Sequence, residues 1–542
     1  MILKIDGKFA TLMTRATPKL LAILGGLEGR RTWAKDGKSL RVEATAHNVR
    51  IILAMGDVDI EKENDVIPEM EQFVGRTPYK EKTVSMPHQV RCREKMAGKK
   101  VFALFLEMGA GKSKIALDYA GELYCAGKIT GVLITSKRGP HSQFIISQAP
   151  LHLNCEWSGI VWPFTEDQFP KKGLQIVSFN IDAIRTKRGM NVATAFCEQH
   201  KGRLLIICDE SQDIKSAGSE RHKAMLELKE YSSHRLVATG TPISVSLLDE
   251  KSQIDWLDND IIGVRYKTTF LREYCITGGF AGKQIIGYRN IDKFREKVDP
   301  YVFRVTQEEF GVMPPIEEEW VIDLLPIQKK AIKQIKDDLE VTINNDTLDV
   351  ATAIVAMTKI QQITSGFIKI ENNKIHRFIN VKENPRITAA VEWVQSGEKS
   401  KAIIWAVFQQ DNKMLAERFI IEGISFSQLY GQTSSADREE AIRGFMDPEG
   451  PQVLIASQAV VGSGFNLQGL CNRALFYSNS YKYIDRVQAE ARINRIGTIG
   501  IITNTDIIAR GGIDRNIISN LKKKQGISQL ALGDLISIIE EA

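Results

Sequence analysis

Gly109 and Gly111, followed at once by Lys112 and Ser113, form a run whose residue types suit phosphate. Glycines let successive backbone N–H groups turn into one concavity, and a helix N-terminus beyond them adds unpaired donors and partial positive charge. Met108, Gly109, Ala110, Gly111 and Lys112 are therefore expected to wrap a triphosphate. Lys112 would reach its β- and γ-phosphates and the Ser113 hydroxyl would ligate Mg²⁺. The strict G-x-x-x-x-G-K-S/T pattern has glycine where this chain has Leu106. Further along, the apolar run Leu204 to Cys208 ends in Asp209 and Glu210. Adjacent carboxylates repel each other unless a cation is near, so Asp209 reads as a Mg²⁺ ligand and Glu210 as the group that orients or deprotonates an attacking water. Near the far end, Arg492 and Arg495 are spaced to share one face of a helix. Planar guanidinium forks suit the charge that develops on a transferring phosphoryl group.

These groups need scaffolds. From Val101 on, short apolar runs alternate with helical patterns: Val101–Leu106, Gly131–Thr135, Leu174–Ser178, Leu204–Cys208 and Arg235–Thr239. Near-continuous apolar strands between helices imply a parallel sheet covered on both faces. A second series, Ala402–Phe408, Ser425–Leu429, Val453–Ala456 and Ala474–Ser478, implies a second α/β domain that delivers the arginines. Between the two, helical periodicity dominates at Gln328–Leu339 and Thr347–Ile363. Upstream, a helix is expected near Pro18–Gly25 and another near Ala46–Ala54. They would flank a hairpin of Thr32–Lys35 and Ser39–Val42 around Asp36-Gly37-Lys38, a strong turn signal.

At 542 residues the chain is too long for one core. The expected division is 1–56, a small basic module; 57–85, an acidic connector; 86–315, the first α/β domain; 316–380, a helical segment; and 381–542, the second α/β domain. Apolar content of 43% and charged content of 25% exclude a disordered chain. No run approaches the roughly 18 apolar residues of a membrane span and Met1–Asp6 lacks a signal-peptide core, so a cytoplasmic protein without membrane partners is expected. The seven cysteines are scattered without metal-ligand spacing and read as reduced, mostly buried thiols. Net charge is +6, and residues 1–56 alone carry an excess of that size, whereas residues 57–71 hold seven acids and one lysine. A basic module of this kind suits a polyanionic partner.

In order and spacing the motifs resemble those of the Swi/Snf-type helicase-like ATPases within the second helicase superfamily, over residues 86 to 500. Pro87-His88-Gln89 is similar to the family's glutamine element, which implies that Gln89 recognises adenine. Glu107 to Ser113 resembles its D-E-M-G-x-G-K-T. Asp209-Glu-Ser-Gln212 resembles D-E-x-H, with Gln212 replacing the histidine. Lys137 falls where the family has its first DNA-backbone contact, and Thr239-Gly-Thr241-Pro matches the element that couples hydrolysis to DNA. Ser457 to Leu467 resembles S-x-x-x-x-G-x-G-x-N-L, and Gln488 to Gly497 resembles Q-A-x-x-R-x-x-R-x-G, with Thr498 after it in place of a frequent glutamine. The resemblance thus implies nucleotide contacts by Gly464 and Gln488, and coupling or DNA contacts by Ser457 and Asn466. Gly29 to Trp33 resembles the small accessory domain of annealing helicases, which would give Arg30 and Arg31 phosphate contacts and Trp33 a stacking role.

The implied fold is two RecA-like parallel-sheet domains in tandem behind a small α+β domain. The implied activity is DNA-dependent ATP hydrolysis, with ATP and Mg²⁺, that drives movement on or remodelling of duplex or forked DNA. Replication or recombination proteins are the expected partners, the expected state is a monomer, and the compact length resembles phage and bacterial relatives. Two alternatives remain at this stage: an RNA-stimulated helicase, and a nucleic-acid-binding scaffold subunit that does not hydrolyse ATP.

Overall fold

The computed structural model describes five strands within residues 1–77 and then residues 78–522, apart from short stretches at 138–139, 241–246, 279–283, 307, 346–349, 371–373, 398–399, 432, 434, 459–466, 468–470, 496–497 and 499. The N-terminal strands are β1 (Ile2–Asp6), β2 (Phe9–Met13), β3 (Arg31–Trp33), β4 (Ser39–Glu43) and β5 (Asp59–Lys62). They form one sheet in the order β3-β4-β2-β1-β5. The expected hairpin is present, with Arg31 opposite Val42 and Trp33 opposite Leu40. Its turn, the helices expected at 18–25 and 46–54, and Arg30 lie outside the described residues, as do the side chains of Arg31 and Trp33. The acidic stretch read as a connector from residue 57 contributes β5, which runs parallel to β1 at the sheet edge. Charged residues suit an edge because they discourage further strand pairing.

The first lobe holds a wholly parallel seven-stranded sheet. Its strands are β6 (Val101–Leu106), β7 (Gly131–Ser136), β8 (Trp157–Val161), β9 (Leu174–Asn180), β10 (Leu204–Asp209), β11 (His234–Thr239) and, beyond a hairpin of β12 (Cys275–Gly278) and β13 (Gln284–Tyr288), β14 (Val302–Val305). Their order is β14-β6-β11-β10-β7-β9-β8. Every residue of β6 and β7 is buried because each face has its own core. Val101, Ala103 and Phe105 pack on one side, Phe102, Leu104 and Leu106 on the other. Three helices concern the site: α1 (Pro87–Met96), α2 (Lys112–Cys125) and α3 (Leu247–Leu257).

A strap ahead of α1 lies across the back of α2. Tyr79 Oη donates to Asp118 at 2.6 Å, Lys82 Nζ to the Pro150 carbonyl at 2.6 Å, and Thr83 Oγ1 pairs with His152 Nδ1 at 2.8 Å. The Tyr79 ring needs Gly121, where an added Cβ would sit 2.3 Å from it. Gly121→Ala is expected to lower stability by about 1–3 kcal/mol through overpacking. An unchanged thermal melt would contradict this seating of the strap.

The second lobe holds a parallel six-stranded sheet in the order β15-β22-β21-β18-β20-β19, beside a small hairpin of β16 (Phe367–Lys369) and β17 (Ile375–Arg377). The sheet strands are β15 (Ile316–Asp323), β18 (Lys401–Ala406), β19 (Phe426–Leu429), β20 (Val453–Ser457), β21 (Cys471–Phe476) and β22 (Thr503–Arg510). Residues 316–380 therefore do not begin as a helical segment. β15 comes first, and its consecutive glutamates hide the strand pattern because they find polar partners at the sheet edge. Asn504 Nδ2 donates to Glu317 at 2.9 Å and Thr505 Oγ1 to Glu318 at 3.2 Å. The expected helices follow as α4 (Pro326–Asn345) and α5 (Val350–Thr364), then α6 (Pro385–Ser396) and α7 (Tyr483–Glu490). Asn384 caps α6 by accepting from the Arg386 and Ile387 amides, with Pro385 in the first turn.

Asp411 lies in the core of this lobe and accepts from Ser478 Oγ at 2.9 Å. Burial pushes its carboxyl up to about 6, against the pull of Ser478 and Arg386. The folded state therefore holds this proton more tightly than the unfolded chain. The resulting contribution to stability is complete below about pH 4 and is lost as pH rises to about 6. Asp411→Asn is expected to gain stability relative to the parent protein over that window. A melting-temperature difference that stays constant from pH 4 to pH 8 would contradict it.

All seven cysteines are free, and five of them are buried. No described helix is long and apolar enough to cross a membrane.

Candidate active site

The parallel strands of the first lobe end in register, so the loops that leave them share one edge. Phe105 pairs with Thr239, Ala238 with Asp209, and Cys208 with Thr135. In parallel α/β sheets the carboxyl edge is where ligands bind. Here it collects Met108 to Ser113 after β6, Lys137 after β7, Asp209 and Glu210 at β10, and Thr239 at β11.

The loop after β6 needs its glycines. Gly109 and Gly111 have φ of +89° and +78°, a region open to glycine and costly for other residues. Gly111 caps α2, so the first amides of that helix open toward the loop. The buried Gln89 closes the other side. Its Oε1 accepts from the Met86 amide at 2.9 Å and its Nε2 donates to the Ala110 carbonyl at 3.1 Å. His88 Nε2 meets the same carbonyl at 2.8 Å. A Cβ on Gly111 would lie 2.2 Å from Gln89 Nε2. Gln89 therefore holds the shape of the loop through both ends of its amide. Lys112 Nζ donates to the Leu106 and Glu107 carbonyls at 2.8 and 3.3 Å. Burial pulls its ammonium down, opposed by Glu210 and Asp209.

Asp209 accepts from Ser136 Oγ at 2.8 Å. Burial, reinforced by the charge of Glu210, pushes the Asp209 carboxyl up to about 7. A divalent cation would relieve this, which fits the donor set to Mg²⁺. Among the described residues no three His, Cys, Asp or Glu side chains cluster as a metal site. A cation at Asp209 and Ser113 would complete its shell with phosphate oxygens and water. Glu210 is one of two described non-glycine residues with positive φ, at +53°. Backbone strain of this kind persists where the surroundings impose it.

Gln212, noted in the sequence only as a departure from histidine, turns out to be a relay. Thr239 Oγ1 donates to its Oε1, and its Nε2 donates to the Glu210 carboxylate. Gly240 packs against the β6 loop, where an added Cβ would sit 3.2 Å from Met108 Cγ. The strand carrying the threonine element is thus joined to both the acid and the phosphate loop. Thr239→Val is expected to leave the buried Gln212 oxygen short of a donor, a cost of about 1–3 kcal/mol. If that cost falls on the active geometry, turnover drops roughly 10- to 100-fold while nucleotide binding holds. Parent-like turnover would remove the relay from the site.

Across the cleft, the chain beyond α7 meets this loop. A Cβ placed on Gly109 would lie 3.6–3.7 Å from Arg495 Cγ, Cα and Cβ. Burial pulls the guanidinium of Arg492 down to about 9 and that of Arg495 down as well, with Glu210 the opposing charge on both. The cavity between the lobes measures about 520 Å³ and is lined by Glu107, Met108 and Gly240 on one side and Tyr483, Glu490 and Asn494 on the other.

Residues 171–383 match the SNF2-related domain, and residues 385–497 match the helicase conserved C-terminal domain. The chain belongs to the Swi/Snf-type helicase-like ATPases. It is 23% identical over 367 residues to a putative ATP-dependent helicase/translocase, YwqA, of Bacillus subtilis, a match covering 64% of this chain and 38% of that protein. It is 21% identical over 360 residues to the mouse DNA repair and recombination protein RAD54-like, covering 61% of this chain and 48% of that one. The matches thus span less than half the length of either relative. Among solved structures, the SWI2/SNF2 ATPase core of Sulfolobus solfataricus in complex with dsDNA is 19% identical, covers 86% of this chain and 98% of that one, and has a TM-score of 0.39.

In this Swi/Snf-type chain the arginines do not sit on a helix, as their spacing suggests. α7 ends at Glu490, and Arg492 and Arg495 lie in the turn beyond. The Arg492 carbonyl accepts from the Leu467 amide at 3.1 Å, and the Arg495 amide donates to Thr498 Oγ1 at 3.2 Å. Both groups are thereby withdrawn from a helical ladder, and Thr498, the departure at the end of the motif, is part of the cause. Gln488 is buried on α7. Ser457 ends β20, paired with Ala406 of β18. Lys137 follows β7 and faces Asp213, whose carboxyl is pushed up by burial with Lys137 drawing it back. Thr241, Gly464 and Asn466 lie outside the described residues. Sequence reading missed one cluster on the cleft: fully buried Glu250 of α3, paired with Arg304 and Arg295. No local pattern marks it, because its members come from three separate elements.

Proposed function

We propose that this protein is a DNA-dependent ATPase that couples hydrolysis to movement on, or remodelling of, duplex or forked DNA. The observation that carries this reading is the seating of Arg495 from the second lobe against Gly109 of the phosphate loop. A nucleotide there would be enclosed by both lobes, so its hydrolysis and the spacing of the lobes would be linked.

In this reading the glycine loop and Lys112 bind and orient the triphosphate, and Gln89 holds the loop from behind. Ser113 and Asp209 would hold Mg²⁺, which neutralises phosphate charge when bound. Glu210, fixed by Gln212, orients the attacking water and takes its proton. Arg492 and Arg495 stabilise charge on the transferring phosphoryl group. The path from Glu210 through Gln212 to Thr239 supports coupling to DNA held along the strand ends, where Lys137 and Ser457 lie on the two lobes. The basic N-terminal module is an added grip. The relatives include a putative helicase/translocase and a protein described as acting in DNA repair and recombination. Replication or recombination proteins in the cytoplasm are the partners that fit.

Displacement of a third strand from a triplex by the moving protein tests translocation directly. ATP-dependent displacement, absent with a non-hydrolysable analogue, is expected. Stimulation of turnover by RNA but not by duplex DNA would overturn the assignment of substrate.

A further inference from the structure

The arginine turn depends on how the second lobe holds it. The Leu467 amide holds it at the Arg492 carbonyl, and the helix that leads into it, α7, is only eight residues long. One side chain midway along α7 ties that helix to the rest of the lobe. Arg486 is 7% exposed and gathers four partners from four elements. Its Nη1 donates to Asp506 of β22 at 2.6 Å and to the Asn479 side chain, in the loop after β21, at 3.0 Å. Its Nη2 reaches Glu317 of β15 at 3.3 Å, and its Nε donates to Glu490 on α7 itself. The guanidinium stands 3.4 Å over the centroid of the Phe476 ring. Asn479 in turn donates to Asp506 at 2.7 Å and accepts at its backbone from Gln361 of α5 at 2.8 Å.

We propose that Arg486 is a positioning residue for hydrolysis: it fixes the direction in which α7 points Arg492 and Arg495 at the phosphate loop. Two further facts support the assignment. Glu490, the last residue of α7, is both a partner of Arg486 and part of the wall of the cleft. Glu317 lies at the start of β15, directly after the chain crosses from β14 in the first lobe, so the same fork joins the arginine turn to the entry strand of the second lobe. Only a planar fork with five N–H donors can hold acceptors in these directions together. The inference rests on the proposed reading of Arg492 and Arg495 as hydrolytic groups.

Removing Arg486 alone would leave Asp506 buried without its cation, which is strongly destabilising. The informative protein is Arg486→Met combined with Asp506→Asn, with Arg486→Lys as a second variant that keeps the charge and loses the fork. Two quantities are read on the full chain: amide hydrogen exchange over residues 491–495, and DNA-stimulated ATP turnover. Exchange over the turn is expected to speed up in both variants while the strands β20 and β21 keep their protection. Turnover is expected to fall roughly 10- to 100-fold, as small misplacements of reacting groups do, with nucleotide affinity changed less than about twofold. Native exchange over the turn would overturn the assignment, and so would faster exchange with unchanged turnover. If the parent protein showed no turnover with any nucleic acid, the functional reading would fall, and exchange alone would still decide whether Arg486 holds the turn.

Discussion

Arg495→Ala is expected to lower nucleic-acid-stimulated ATP turnover by about 10³-fold or more, within the range assigned to arginines that complete a phosphoryl-transfer site from outside it. The expectation follows from placement. The Arg495 backbone and the root of its side chain lie against Gly109, and Glu210 is the charge that draws on its guanidinium. Its Nε donates to the Ala491 carbonyl at 2.5 Å, which ties the guanidinium to the end of α7. Burial works against the charged form of Arg495, so this side chain would be a poor choice for stability alone. Nucleotide affinity without DNA is expected to change little, because the loop, Lys112 and Ser113 remain. Arg495→Lys should restore only a small part of the rate, since a point charge cannot span two phosphate oxygens. Turnover within tenfold of the parent would show that the second lobe does not complete the site.

Glu210→Gln is expected to cost about 10²- to 10⁴-fold in turnover, the range of a general base, while nucleotide binding is kept. The backbone at Glu210 is held at positive φ and its carboxylate is fixed by Gln212, so the substitution removes the base and leaves the geometry. It also removes the charge that reinforces the raised Asp209 carboxyl. Mg²⁺-dependent nucleotide binding should therefore persist to lower pH in the variant than in the parent. A hydrolysis rate within tenfold of the parent would reassign the base.

The placement of the first lobe's motifs was legible because it is local. A glycine loop between a strand and a helix, and a carboxylate pair at the end of an apolar strand, each sit within a few residues of sequence, and β6, β7, β9, β10 and β11 lie where the apolar runs put them. What depended on distant partners was not legible. β15 reads as charged because its glutamates are satisfied by β22, and β5 reads as a linker because an edge strand tolerates acids. The spacing of Arg492 and Arg495 implies a helix, yet a hydrogen bond from Leu467 and a side-chain acceptor in Thr498 end it early. Gln212 looked like a lost histidine, and its contact with Thr239 appears only once β10 and β11 are paired. Arg486 had no visible role, because its partners Glu317, Asn479 and Asp506 come from across the second lobe.

The central claim is that both lobes form one ATP-hydrolysing site that answers to DNA. It is tested most directly by steady-state ATP turnover of the full chain, alone and with single-stranded, duplex or forked DNA or RNA, with Lys112→Ala as the blank. The account predicts stimulation by duplex or forked DNA that is abolished in Lys112→Ala. Turnover that no nucleic acid stimulates, or that survives in Lys112→Ala, would contradict it.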